Sequence, residues 1–119
     1  MERVTGIGGF FFRSENPAVL AQWYLDNLGI DLVPQAVGQE PWSQQAGHTA
    51  FAPFPHDTTY WAQDKKWKLN FRVRDLDAMV RQLRNSGIQV KVDPEQYPYG
   101  RFASLEDPEG NPLELWEPR

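Results

Sequence analysis

The chain has 119 residues, 40% of them hydrophobic and 24% charged, which suits one compact domain with a real core. A net charge of −4 and a pI near 5.1 argue against nucleic acid as a partner, and no apolar run is long enough to cross a bilayer. There is no cysteine, which rules out disulfides and thiolate chemistry; with no secretory cleavage pattern after Met1, the expected location is cytoplasmic.

Ile7 to Arg13 alternates as a strand does, and Asn16-Pro17 then opens a helix, with Asn as N-cap and Pro at the first helical position. Leu20, Ala21, Tyr24 and Leu28 share one face of that helix, and Gly29 stops it. A short strand is expected at Ile30 to Val33, a loop rich in Gln and Gly follows, and a further strand is expected from Thr49 to Phe54. Residues 56–66, rich in turn formers and polar side chains, read as a linker.

From Lys68 the pattern restarts. Lys68 to Val73 alternates, Asp75 can cap a helix, and Leu76, Met79, Val80 and Leu83 make a helical stripe before Gly87. Arg101 to Leu105 and Pro112 to Glu117 read as the two strands of a hairpin around Asp107-Pro108-Glu109-Gly110. Alternation sends Leu113 and Leu115 to the core and Glu114 and Trp116 to the opposite face.

The two halves superpose in register. Phe12 falls on Phe71, Asn16 on Asp75, Leu20 on Met79, Gly29-Ile30 on Gly87-Ile88, Gly47 on Gly110 and Pro55 on Pro118. This reads as an internal duplication of a strand-helix-strands unit. The fold class expected is α+β: two tandem βαβββ modules, 4–55 and 67–118, joined by linker 56–66 within a single domain. Each half alone is too small to bury its sheet, so the modules pair within the chain or are exchanged in a homodimer.

The strand, the Asp-Pro-Glu-Gly-Asn turn and the following Leu113-Glu114-Leu115, together with the duplication, resemble the vicinal oxygen chelate superfamily, which includes glyoxalase I, extradiol dioxygenases and bleomycin-resistance proteins. The resemblance implies a curved, barrel-like mixed sheet with helices on the outside. It also implies four pseudo-symmetric metal-ligand positions, which fall here on Gly9, Phe51, Lys68 and Glu114. Only Glu114 among these could ligate, and a carboxylate beside an ammonium repels a divalent ion, so neither a metal nor another cofactor is expected. His48 and His56 lack ligand spacing and read as surface imidazoles. No Ser-His-Asp arrangement or phosphate-binding glycine loop can be assembled.

Alternation places Phe11, Phe51, Phe102 and Trp116 on a concave face, with Lys68, Asn70, Arg72 and Glu114 as polar handles and Lys68 in reach of Glu114. Trp42, Tyr60, Trp61, Tyr97 and Tyr99 stand in predicted loops that could close the face. An apolar wall with a few placed polar groups is the make-up of a small-molecule pocket, although the same aromatics could fill a closed interior or bury against a second subunit. The reading favoured is a metal-free binder of an aromatic or planar ligand, similar to the bleomycin-resistance branch. The alternative is a glyoxalase- or dioxygenase-type enzyme, metal-dependent or with Glu114 as general base and Lys68 or Arg72 stabilising an anion. A third is an interaction module with a vestigial cavity.

Overall fold

A computed structural model describes residues 1–119. The first regular element is α1, Pro17–Leu28, which starts where Asn16 accepts the Val19 N–H at 3.4 Å and ends at Gly29, whose φ of 70° lets its N–H return to the Leu25 carbonyl. Leu20 and Tyr24 are buried, whereas Ala21, expected on the same face, is exposed at its margin. The second helix, α2, Leu76–Asn85, is opened twice over. Asp75 accepts the Ala78 N–H at 3.0 Å, and Glu117 reaches across to take the Leu76 N–H at 2.8 Å. Its Leu76, Val80 and Leu83 face the core.

Four strands form one mixed sheet: β1 Leu69–Arg72, β2 Lys91–Val92, β3 Gly100–Glu106 and β4 Pro112–Pro118, in the order β1-β4-β3-β2. β3 and β4 make the expected hairpin, and β1 lies parallel to β4, pairing Leu69 with Leu113 and Arg72 with Trp116. The core joins Leu20 and Tyr24 of α1, the α2 stripe, Val90, and Ala103, Leu105, Leu113 and Leu115 from one face of the sheet. Gly100 admits the Trp116 indole, because a Cβ there would strike both that ring and the Glu117 carbonyl.

The sheet is open rather than barrel-like, and the first half departs from expectation. Residues 7–13, 30–33 and 49–54 form no strands. Alternation sets which way side chains point, but a strand also needs a neighbour to complete its ladder, and these segments have none within the chain. Phe12 and Ile30 still pack against the core, but other apolar side chains of these segments stand in solvent, with Phe11 94% and Phe51 85% exposed. The radius of gyration, 15.4 Å, exceeds the roughly 13.5 Å of a compact domain of this length.

What fixes the first half is the β3–β4 turn. Asp107, 4% exposed, accepts from the Tyr24 hydroxyl at 2.6 Å, from its neighbours' N–H groups at Glu109 (2.8 Å) and Asn111 (3.1 Å), and from the Asn111 amide at 2.7 Å. Glu109 accepts the Ser14 hydroxyl at 2.6 Å and the Glu15 N–H at 3.0 Å, so the hairpin turn also anchors the chain just ahead of α1. The Ser14 hydrogen bond, then that of the Glu15 N–H, holds the Glu109 carboxyl below its usual range.

Burial, and then the bond to Asp107, pushes the Tyr24 phenol well above its ordinary value of 10.0. The folded chain therefore binds this proton more tightly than the unfolded chain. The stability it contributes is complete below about pH 10 and drains away as the pH climbs beyond it. Unfolding followed against pH should show an alkaline decline that Tyr24→Phe flattens, the variant starting from a stability lower by about 1–2 kcal/mol.

Candidate functional site

Two rows of side chains cross the sheet on the face opposite the core. Register places Asn70, Glu114 and Ser104 side by side in the first, and Arg72, Trp116 and Phe102 in the second. Both rows follow from the two-residue period: with Leu113, Leu115, Ala103 and Leu105 packed under the helices, their neighbours must face the other way.

Glu114 is the centre of the first row. It is 8% exposed, yet both its oxygens are engaged. Oε1 accepts the Asn70 amide at 2.8 Å, and Oε2 accepts the Tyr60 hydroxyl and stands 3.6 Å from the Lys68 ammonium. Lys68 lies just ahead of β1, and its Nζ also sits 4.1 Å from the centroid of the Tyr60 ring. Tyr60 is in turn stacked on Phe54 at 5.7 Å and edged by Trp61, whose indole N–H donates to the Lys65 carbonyl. Part of the expected linker is thus folded over the carboxylate. Burial, with the bond to Glu114 second, pushes the Tyr60 phenol far above its ordinary range, so it remains a hydrogen-bond donor throughout physiological pH.

The second row is aromatic. The Phe102 and Trp116 rings are parallel within 8°, their centroids 6.4 Å apart. Tyr97 and Tyr99, themselves stacked at 5.3 Å, meet the Phe102 ring edge-on, and the Trp116 indole N–H donates to the Tyr99 carbonyl at 2.9 Å. Tyr97 is oriented by Asp93, whose carboxylate takes its hydroxyl at 2.9 Å and pushes that phenol up to about 12. Arg72 leaves this wall: its guanidinium donates to the Gln45 carbonyl at 3.0 Å and fills the space where a Cβ on Gly47 would lie. An open groove of about 600 Å³ wraps the turn end of the sheet, bordered by Tyr60, Lys68, Lys91 and Ser104, with the Phe102–Trp116 wall outside it.

The structure therefore gathers Lys68, Asn70 and Glu114 at one point and Phe102 and Trp116 beside them. Phe11 and Phe51 are not brought to that face within one chain; the Phe11 ring instead leans over Gly9, where a Cβ would come within 3.0 Å of it. Trp42 is exposed, and so are His48 and His56. No group of three or more His, Cys, Asp or Glu side chains converges anywhere in the chain. Two participants were hidden from sequence reasoning. Tyr60 showed only as a loop aromatic, with no periodicity to aim its hydroxyl at Glu114, and Asp107 read as a local turn former although it also binds Tyr24.

Known structures share this architecture. TnmS3, an antibiotic binding protein from Streptomyces sp. CB03234, is 24% identical over the full length of both chains, with a TM-score of 0.66. A lactoylglutathione lyase from Agrobacterium tumefaciens is 18% identical over 98% of this chain and 96% of its own, with a TM-score of 0.62. A glyoxalase/bleomycin resistance protein from Streptomyces sp. CB03234 is 23% identical over 87% of this chain and 92% of its own, with a TM-score of 0.57. At these identities the likeness is one of fold. Comparison with curated protein sequences gives no match. The glyoxalase-like domain pattern matches residues 9–116, nearly the whole chain, and on that match the chain belongs to the glyoxalase-like domain family.

Proposed function

We propose that this protein binds a planar aromatic small molecule on the Phe102–Trp116 wall, without a metal and without chemistry. The observation that carries the reading is the wall itself: parallel rings on an open sheet face, backed by two stacked tyrosines, next to a carboxylate whose oxygens are already spoken for. A divalent ion does not fit the donor set, since the four family positions offer one carboxylate, an ammonium 3.6 Å from it, a phenyl ring and a glycine. Glu114, held by Asn70 and Tyr60 with the Lys68 ammonium 3.6 Å away, suits a hydrogen-bond anchor for a ligand in this reading. The description of TnmS3 as an antibiotic binding protein agrees with a binding role.

The active form in this reading is a homodimer of two βαβββ modules per chain, 4–55 and 67–118, joined by 56–66. The exposed Ile7, Phe11, Val33 and Phe51 and the unpaired outer edge of β1 support it, since a second copy would bury the former and could pair with the latter. Phe11 and Phe51 would then reach the ligand face from the other chain, with Arg72 at its rim. No helix is long and apolar enough to cross a membrane, and a cysteine-free chain suits the cytoplasm, where we place it.

Quenching of tryptophan fluorescence by planar probes, the methyl ether of β-naphthol and acridine, tests the binding. Wild type should bind, and Trp116→Ala should weaken the affinity about tenfold or more, as expected for losing one large stacked ring. Sedimentation should give twice the chain mass, and Phe51→Glu should return it to one. Failure of every planar probe to bind would remove the proposal, and turnover abolished by Glu114→Gln would replace it with an enzyme.

A further inference from the structure

Glu114 poses a question that the aromatic wall does not answer: why a carboxylate only 8% exposed should be held by a loop tyrosine, Tyr60, that is itself 51% exposed. The other two partners belong to the sheet or its margin, Asn70 on β1 and Lys68 immediately before it. Tyr60 comes from a segment without helix or strand; its ring stacks on Phe54 of the same segment and meets the rest of the fold at Lys68 and Glu114. Such segments open at little cost compared with a sheet.

We propose that Glu114 selects ligands carrying a neutral N–H or O–H donor at the edge of a planar aromatic system, with Tyr60 as the displaceable donor that stands in for it. The proposal rests on the binding function above and names the class of ligand. When the Tyr60 hydroxyl leaves, it passes from Glu114 to water, an even exchange for a group at the surface. Glu114 has no such exchange, because a nearly buried carboxylate that loses a donor must find another or bear the cost of an unmet charge. A ligand that brings a donor restores the count, while one that brings only apolar surface leaves it short. Sites built around a hydrogen bond discriminate strongly against analogues that lack the group, for this reason. Lys68, 3.6 Å from Oε2, already balances the carboxylate charge, so a neutral donor is favoured over a cation, which the ammonium would repel. Glu114 and Trp116 lie on the same face of β4, two residues apart, so a ring stacked on the indole carries its edge substituent toward the carboxylate.

β-Naphthol and its methyl ether make the test, because they share a ring system and differ in the O–H donor. Wild type should bind β-naphthol about tenfold more tightly than the ether. Tyr60→Phe keeps the ring that stacks on Phe54 and underlies Lys68 but removes the competing hydroxyl. It should strengthen both probes alike, about tenfold, because the hydroxyl that either ligand must displace is gone, whereas Glu114→Gln should erase the preference for β-naphthol. Equal affinity of wild type for the two probes, or a Tyr60→Phe effect that is absent or confined to one probe, overturns the assignment of Glu114 and Tyr60 and leaves the aromatic site standing. Binding of neither probe overturns both.

Discussion

Asp107→Ala should cost the fold about 4 kcal/mol, more than any other single change outside the hydrophobic core. Four donors converge on this nearly buried side chain: the Tyr24 hydroxyl, two backbone N–H groups and the Asn111 amide. Each buried donor left without an acceptor costs roughly 1–3 kcal/mol, and they share one carboxylate, so the losses sum incompletely. The damage is also not confined to the turn. With Asp107 gone, α1 loses the polar bond that holds Tyr24 over the sheet, and the Glu109 anchor for Ser14 and Glu15 sits on a turn that has lost its own bracing. Asp107→Asn keeps one acceptor oxygen and should fall about midway. Urea unfolding of the two variants beside wild type decides the matter, and an Asp107→Ala loss below about 1 kcal/mol would show that water or the backbone takes over the donors.

The second large effect is expected at Lys68. Lys68→Met strands the Glu114 carboxylate without its cation while both side chains are nearly nine-tenths buried, at 12% and 11% exposure. Breaking such a pair from one side costs on the order of 3–5 kcal/mol; with Asn70 and Tyr60 still donating, the lower end, about 3 kcal/mol, is expected here. Removing both charges is a different perturbation. Lys68→Met combined with Glu114→Leu leaves no orphan charge and adds apolar surface, so the double variant should regain most of the loss despite carrying two substitutions. A double variant as unstable as Lys68→Met would locate the deficit in packing rather than in charge. The same pair of proteins, titrated with planar probes, separates what the carboxylate does for the ligand from what it does for the fold.

Local chemistry was legible in the sequence; long-range pairing was legible only where alternation constrained it. Asn16, Pro17 and Gly29 bracket α1, and Asp75 opens α2, because caps and stops act within a turn of helix. The hairpin from Gly100 to Pro118 was readable for the same reason, and from it the outward placement of Glu114 and Trp116. The approach of Lys68 to Glu114 came from superposing the two halves, which carries information that no single window holds. The strands expected near Ile7, Ile30 and Thr49 show the limit. Ile7 to Arg13 does alternate, but a period of two marks a chain that could join a sheet, and nothing in it names the neighbour. Tyr60 and Asp107 show another: a side chain whose partner lies 54 or 83 residues away leaves no local trace of that bond.

The bond between Ser14 and Glu109 spans 95 residues, almost the entire chain, whereas the hairpin that presents Glu109 closes over a handful. Closing a long loop is costly in chain entropy until there is a formed surface to receive its ends. Assembly is thereby expected to be ordered in time, with the C-terminal sheet and α2 gathering first and the amino-terminal helix arriving last, onto a turn already built. Contacts made by that helix are then absent from the rate-limiting barrier, so weakening them hastens unfolding while refolding keeps its pace. The helix nearest the start of this sequence is then the element expected to wait longest for its place.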